Sequence, residues 1–350
     1  MSLETVVILA AGEGTRMKSS TPKVLHPISG RSLVGHVLHA VDALAPKHVR
    51  VVVGAGREQV EAHLSEVAPH VTTVFQEKRG GTGHATQLAL DGLKATGTIL
   101  VLAGDTPMLT GSSLAQLLEE HHAGGFTASV LTAEHPDPTG YGRIIRGDDD
   151  SLLRIVEERD ADELQRDILE VNSGVYAFDA VKLAGAIGKL KNDNSQGELY
   201  LTDVIEILRN EGGKIAAVLI DDFIEILGVN DRVQLAESAA LLRDRINEDL
   251  MRAGVTIVDP LSTWVDATAT VANDVVLMPG TAISGTTTVA TGAVIGPRTT
   301  LVDCTVGAGA RVIESRATEA IVGEGANVGP YTFLRPGTKL LPNSKVGAYV

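Results

Sequence analysis

From Val271 onward a short apolar side chain recurs at every sixth position, at Val271, Leu277, Ile283, Val289, Ile295 and Leu301. The register slips by one to Val306 and Val312, then returns as Val322, Val328, Leu334, Leu340 and Val346. Glycine follows the apolar residue at Gly296, Gly307, Gly323, Gly329 and Gly347. Neither the helical period nor the two-residue period of an ordinary strand accounts for this spacing. It is the period of a parallel β-helix: six residues make one flat face, three faces make one triangular coil, and the inward residues stack. The chain's single cysteine, Cys304, falls inside the repeat; it excludes an intramolecular disulfide and reads as packing rather than as a nucleophile. The chain stops at Gly347-Ala348-Tyr349-Val350 in mid-coil, without the polar cap that a solenoid end needs, so the natural protein is expected to continue.

Upstream the pattern is different. Strand-like runs at Val6–Ala10, Val49–Val53, Val71–Phe75, Thr98–Leu102 and Thr127–Leu131 alternate with longer helix-like segments such as Leu33–Leu44 and Leu114–His121. Fully apolar strands alternating with helices predict a mostly parallel sheet covered on both faces. Ligands of such sheets collect outside the carboxyl ends of the strands. From Tyr141 to Phe178 strands and turns shorten, and Gly147-Asp148-Asp149-Asp150 reads as a solvated hairpin tip rather than a metal site. Helical spacing resumes at Leu183–Leu190 and Leu199–Leu208. Asp231 to Arg252, without Gly or Pro, reads as a helical arm that Gly254 stops.

A length of 350 residues suits two domains better than one core, and 44% apolar residues supply that core. A net charge of −14 disfavours nucleic acid and anionic membranes as partners. A chain this acidic handles phosphates only by concentrating cations locally or recruiting a metal. No amino-terminal leader pattern occurs, and no apolar run approaches the roughly 20 residues that span a bilayer; the chain is expected to be cytoplasmic.

Strand Val6–Ala10 empties into Ala11-Gly12-Glu13-Gly14-Thr15-Arg16-Met17, followed by Thr21-Pro22-Lys23-Val24-Leu25-His26. A strand that opens into a glycine-rich turn presents several backbone N–H groups on one concave surface, an anion cradle over which Arg16 and Lys23 can close. The spacing is not a Walker loop, and Met17 stands where a dinucleotide fingerprint needs its third glycine. A tight turn with two surface cations is the plainer alternative. Asp105 ends another buried run, and a lone carboxylate there needs a paired charge or a metal.

These motifs have companions: Gly80-Gly81-Thr82-Gly83-His84-Ala85, Gly104-Asp105-Thr106-Pro107, Asp137 to Ile144 (Asp-Pro-Thr-Gly-Tyr-Gly-Arg-Ile), Val156-Glu157, Val171-Asn172-Ser173-Gly174 and Gly228-Val229-Asn230. In this order, with a hexapeptide tail, the set resembles the sugar-nucleotide pyrophosphorylases. Its form is that of the bifunctional N-acetylglucosamine-1-phosphate uridylyltransferase / glucosamine-1-phosphate acetyltransferase family. The resemblance implies an α/β fold: a Rossmann-like, mostly parallel nucleotidyltransferase domain over 1–228, a linker helix over 229–253, and an incomplete left-handed parallel β-helix over 254–350. It implies transfer of UMP from UTP to N-acetylglucosamine-1-phosphate, giving UDP-N-acetylglucosamine and pyrophosphate for cell-wall precursor synthesis. Mg²⁺ is the implied cofactor and a homotrimer, built through the β-helix, the implied assembly.

Under that resemblance Arg16 serves the leaving pyrophosphate and Lys23 the phosphates near the reacting atom, a bracketing fork and a point charge. The nucleotide falls to Leu9, Ala10, Ala11, Gly12, Gln76, Gly81 and Thr82; the Gln76 amide can match the edge of uracil. The sugar falls to Gly142, Glu157 and Asn172, and the metal to Asp105 and Asn230. Each position keeps an ordinary alternative. Asn230 stands just before the helical arm, where Asn is a favoured cap. Gln76 reads also as a solvated residue after a strand, Leu9–Ala11 as strand-end packing, Gly142 as a turn, and Glu157 as part of a charged, solvated run. His121-His122 is expected to be exposed at a helix end, and His84 to pack. For the family's second activity only Arg335 matches, as an acceptor contact, so acetyl transfer is expected to be absent. Sister enzymes for another nucleotide or sugar, a silent sugar-nucleotide-binding subunit and a purely structural β-helix protein are the rival readings.

Overall fold

Val6, Val7 and Ile8 are wholly buried although they alternate sides along one strand. Both faces of that strand are therefore covered, as a parallel sheet requires. In the computed structural model, which describes residues 3–348, it is an interior strand of a nine-stranded sheet. Tyr349 and Val350, at the expected break in the coil, lie outside the described residues. The chain divides into two compact units, Met1–His26 with Ser32–Gln234, and Pro27–Arg31 with Leu235–Val350.

In the first unit β1 (Leu3–Ala10), β2 (His48–Val53), β3 (Thr72–Phe75) and β4 (Thr98–Ala103) run parallel in the order β3-β2-β1-β4. The sheet continues through β5 (Ala128–Glu134), a hairpin of β6 (Arg143–Arg146) and β7 (Leu152–Val156), β8 (Glu170–Asp179) and β9 (Ile215–Ile220). β8 lies antiparallel between β4 and β5, β9 runs parallel to β5, and β6 joins β8 at Val171–Arg143. Gly147–Asp150 is the tip of the β6–β7 hairpin, as the sequence predicts: the Gly147 N–H donates to the Ser151 carbonyl at 2.8 Å.

Val6 and Ile8 pack with helices α1 (Leu33–Asp42) and, farther along, Gly111–Gly124. Val7, on the other face, packs with Gly81–Leu90, Ala180–Ile187 and Asp203–Asn210. Each such Val, Leu or Ile contributes on the order of 1.5–3 kcal/mol when removed from water. Two expectations fail here. His121 is 1% exposed, with Nδ1 2.9 Å from Ser129 Oγ. The helix runs on to Gly124, which puts His121 on the face of Leu114, Leu117 and Leu118, against the sheet. Partly buried His122 meets Thr98 Oγ1 at 2.8 Å. The helix expected from Leu199 begins instead at Asp203, because Leu199 to Leu201 bond elsewhere: the Leu199 N–H donates to Gly80 O at 2.8 Å and the Leu201 N–H to Thr82 Oγ1 at 3.0 Å.

The second unit is a left-handed parallel β-helix. Its two- and three-residue strands stack into three parallel sheets of six, five and five strands. Inward residues align one coil apart, as in Ile283–Leu301–Ala317–Leu334. Ala317, wholly buried, is an inward position that the apolar count passes over because alanine is small. The slip at Val306 is a shorter corner: Asp303-Cys304 stands where the coil before has Gly285-Thr286-Thr287. Cys304 is buried in the stack, its thiol donating to Val302 O at 3.2 Å, and burial pushes its ionisation up. The Pro27–Arg31 segment belongs to this unit, where Ser29 O accepts from the Ala267 N–H at 2.9 Å.

Candidate active site

β1 and β4 end side by side, and the Gly104 N–H donates to Leu9 O at 2.9 Å. Strand adjacency alone thus brings the glycine-rich loop and Asp105 to one rim. Gly14 has φ +59°, and a Cβ there would stand 2.6 Å from Lys23 Cβ. The loop can fold over Lys23 only because that position carries no side chain.

Lys23 opens a short helical turn, Lys23–Leu25, and sends its ammonium inward. Lys23 Nζ pairs with Asp105 Oδ2 and donates to Asn230 Oδ1 at 3.2 Å. The two side-chain oxygens thus converge on one cationic point. Asn230 does not cap the helix Arg232–Arg252; Asp231 does, its Oδ1 accepting from the Val233 and Gln234 N–H groups at 2.9 Å each. The Asn230 side chain is left to face Lys23. Its backbone is fixed by the Gln234 side chain at 2.8 Å, and the neighbouring Val229 N–H donates to Asp105 O at 2.9 Å. One hard carboxylate and one amide oxygen, already holding a cation, suit a divalent ion that takes its remaining oxygens from phosphate and water.

A cavity of about 380 Å³ opens at this rim, within the size range of small-ligand sites. Of the residues singled out in the sequence, Leu9, Ala10, Ala11, Gly12, Lys23, Gln76, Gly81, Thr82, Asp105, Glu157 and Asn172 line it. Buried Gln76 is not a solvated strand end: its amide nitrogen reaches Gly81 O at 3.2 Å and His84 Nδ1 at 3.1 Å. Gly81 has φ +91°, and a Cβ there would lie 2.5 Å from Leu199 O.

Glu157 accepts from Thr202 Oγ1 at 3.1 Å; desolvation pushes its carboxyl above the usual carboxylate range, and Asp203 and Asp160 add to this. A bulge in β8 between Asn172 and Tyr176 turns Asn172 toward the cavity, where its Nδ2 donates to the Tyr176 hydroxyl at 2.7 Å. Gly142 lies just behind, its carbonyl accepting from the Asn172 N–H at 2.8 Å. Arg16 is exposed on the loop and stands outside the lining set. Arg335 occupies an exposed corner of the second unit. Arg79, Tyr176, Glu198 and Thr202 line the cavity and escaped the sequence reading. Tyr176 sits four residues after Asn172, a spacing that signals contact on a helix but reaches the same partner here only through the bulge.

Known proteins resemble this chain over nearly its whole length. A profile of the MobA-like NTP transferase domain matches residues 6–175. The bifunctional protein GlmU of Streptomyces coelicolor is 55% identical over 348 residues, covering 99% of this chain and 72% of that protein. GlmU of Corynebacterium efficiens is 50% identical over 100% of this chain and 73% of its own length. GlmU of Cutibacterium acnes is 48% identical, at 99% and 85%.

Proposed function

The chain belongs to the bifunctional GlmU family and is a nucleotidyltransferase; from that premise we propose that it transfers UMP from UTP to N-acetylglucosamine-1-phosphate. The observation that carries the reading is the meeting of Lys23, Asp105 and Asn230 at a cavity that also holds the glycine-rich loop, Gln76, Glu157 and Asn172. A phosphate oxygen of the sugar attacks the α-phosphorus, the bond to the β-phosphate oxygen breaks, and pyrophosphate leaves. Such transfer needs in-line positioning and neutralised charge more than covalent help.

Lys23 supplies a point charge to the phosphates at the reacting centre, and Arg16 brackets the departing pyrophosphate. The backbone at Leu9–Gly12, with Gly81 and Thr82, cradles the nucleotide, and the Gln76 carbonyl oxygen accepts from the uracil edge. Glu157 and Asn172, with Gly142 behind them, take the sugar hydroxyls and the N-acetyl group. Asp105 and Asn230 would hold Mg²⁺, which when bound neutralises phosphate charge and aligns the chain of phosphates. Lys23, which fills that position in this structure, turns to the phosphates instead. We assign Arg335 no acetyl transfer, and thiol release from acetyl-CoA with glucosamine-1-phosphate would overturn that.

A panel of nucleoside triphosphates and sugar-1-phosphates, read by pyrophosphate release, tests the proposal. UTP with N-acetylglucosamine-1-phosphate is expected to be the best pair, and Asp105→Ala to lower kcat by about 100-fold or more. A better rate with another base or sugar, or full activity in the variant, overturns the reading.

A further inference from the structure

Arg79 lines the cavity, yet its guanidinium is turned to Glu13, with Nη2 3.2 Å from Glu13 Oε2. Glu13 stands between Gly12 and Gly14, in the middle of the loop whose backbone N–H groups form the anion cradle. A carboxylate in that place repels an incoming phosphate. Both side chains are about half exposed, 53% and 47%. An exposed pair of this kind is weak, and a guanidinium keeps several further N–H groups to offer.

We propose that Arg79 is a third cation for the polyphosphate chain of the nucleotide, held in reserve by Glu13. This rests on the reading of the cavity as a nucleoside triphosphate site. On entry of the triphosphate the guanidinium exchanges one carboxylate for phosphate oxygens, which it can bracket in pairs. Glu13 is then left without its partner beside the phosphates. It lowers triphosphate affinity and hastens loss of pyrophosphate, so the pair sets how tightly the anionic end of the ligand is kept.

Calorimetric titration of UTP, pyrophosphate and uridine into the full chain, with E13Q, R79Q, R79K and the E13Q/R79Q double variant, tests this. R79Q is expected to weaken UTP and pyrophosphate about tenfold while leaving uridine unchanged. R79K should recover part of that loss, and E13Q should tighten UTP by about threefold. The double variant should bind UTP more tightly than R79Q, because the Glu13 carboxylate repels the phosphates whether or not Arg79 is present. Unchanged UTP affinity in R79Q overturns the proposal. So does equal weakening of uridine, or a loss in E13Q as large as that in R79Q, since the pair would then only brace two loops. If the wild-type chain binds another nucleoside triphosphate and not UTP, the base assignment falls, and the same cycle run with that triphosphate still decides the role of Arg79.

Discussion

At the scale of single residues, the site depends on side chains that are absent as much as on those present. Gly14 lets the loop close on Lys23, and its φ of +59° suits no other residue as well. Gly14→Ala meets Lys23 Cβ at 2.6 Å and must push it aside. A misplacement of about 1 Å near the reacting atoms can cost about 100-fold in rate, so kcat/KM is expected to fall by that order while the thermal midpoint drops by only a few degrees. A steady-state assay with a melting curve checks both, and an unchanged kcat/KM contradicts the proposed part of Lys23. Asp105 was legible in the sequence because it lies just past a buried apolar strand, where a charged side chain stands out, and Lys23 because it follows a glycine-rich turn. Glu157 was less so. A run of four charged residues reads as surface, and only the fold shows Thr202 donating to it. Arg79 and Glu198 lie in segments whose course depends on distant backbone partners, which no local pattern records.

At the scale of elements, two contacts give separate measurements. The helix Gly111–Gly124 presses His121 against the sheet, and burial together with His122 lowers its pKa from 6.5 to about 4. The unfolded chain therefore binds a proton that the folded one refuses between those values. Stability contributed by neutral His121 is present above about pH 6.5 and is lost as pH falls toward 4, on the order of 3 kcal/mol in all. Asp203 runs the other way: burial and Glu206 push it up to about 6, so its contribution is lost as pH rises from 3.8 through 6. Comparison with His121→Leu cancels Asp203. The wild-type urea midpoint should fall relative to the variant between pH 6.5 and 4, and parallel curves contradict the buried neutral histidine. The second contact is the start of the helix Arg232–Arg252. Asp231→Ala should cost about 1 kcal/mol of stability as a lost cap. Asn230→Ala should leave stability nearly intact and depress turnover by tenfold or more. Reversed effects would return Asn230 to the capping role that its sequence position also suggests.

At the scale of the molecule, the repeat of six was the most legible feature and the sheet the next. Both are periodic, and a period survives the loss of individual signals. What escaped was where the period breaks. Ala317 holds an inward place that an apolar count misses, and the shortened corner at Asp303-Cys304 reads in sequence only as a slip. The Pro27–Arg31 segment, placed with the β-helix by its backbone bond to Ala267, carries no pattern that announces it. The stacked coils expose Trp264, Ile321, Tyr331 and Phe333. We expect such apolar surface to be covered in a homotrimer, and sedimentation equilibrium should give three times the mass of 36.6 kDa. A monomer at micromolar concentration contradicts that assembly.

The central claim is that one acidic and one amide oxygen, now closed on a lysine, hold a cation beside the phosphates of a uridine nucleotide. Diffraction from crystals soaked with Mn²⁺ and UDP-N-acetylglucosamine tests it directly, because the anomalous signal locates the metal without regard to turnover. The account predicts one strong peak within coordination distance, about 2.0–2.3 Å, of Asp105 and Asn230, with the Lys23 ammonium displaced onto the phosphates. A peak elsewhere, or a diphosphate bound away from Lys23, contradicts it.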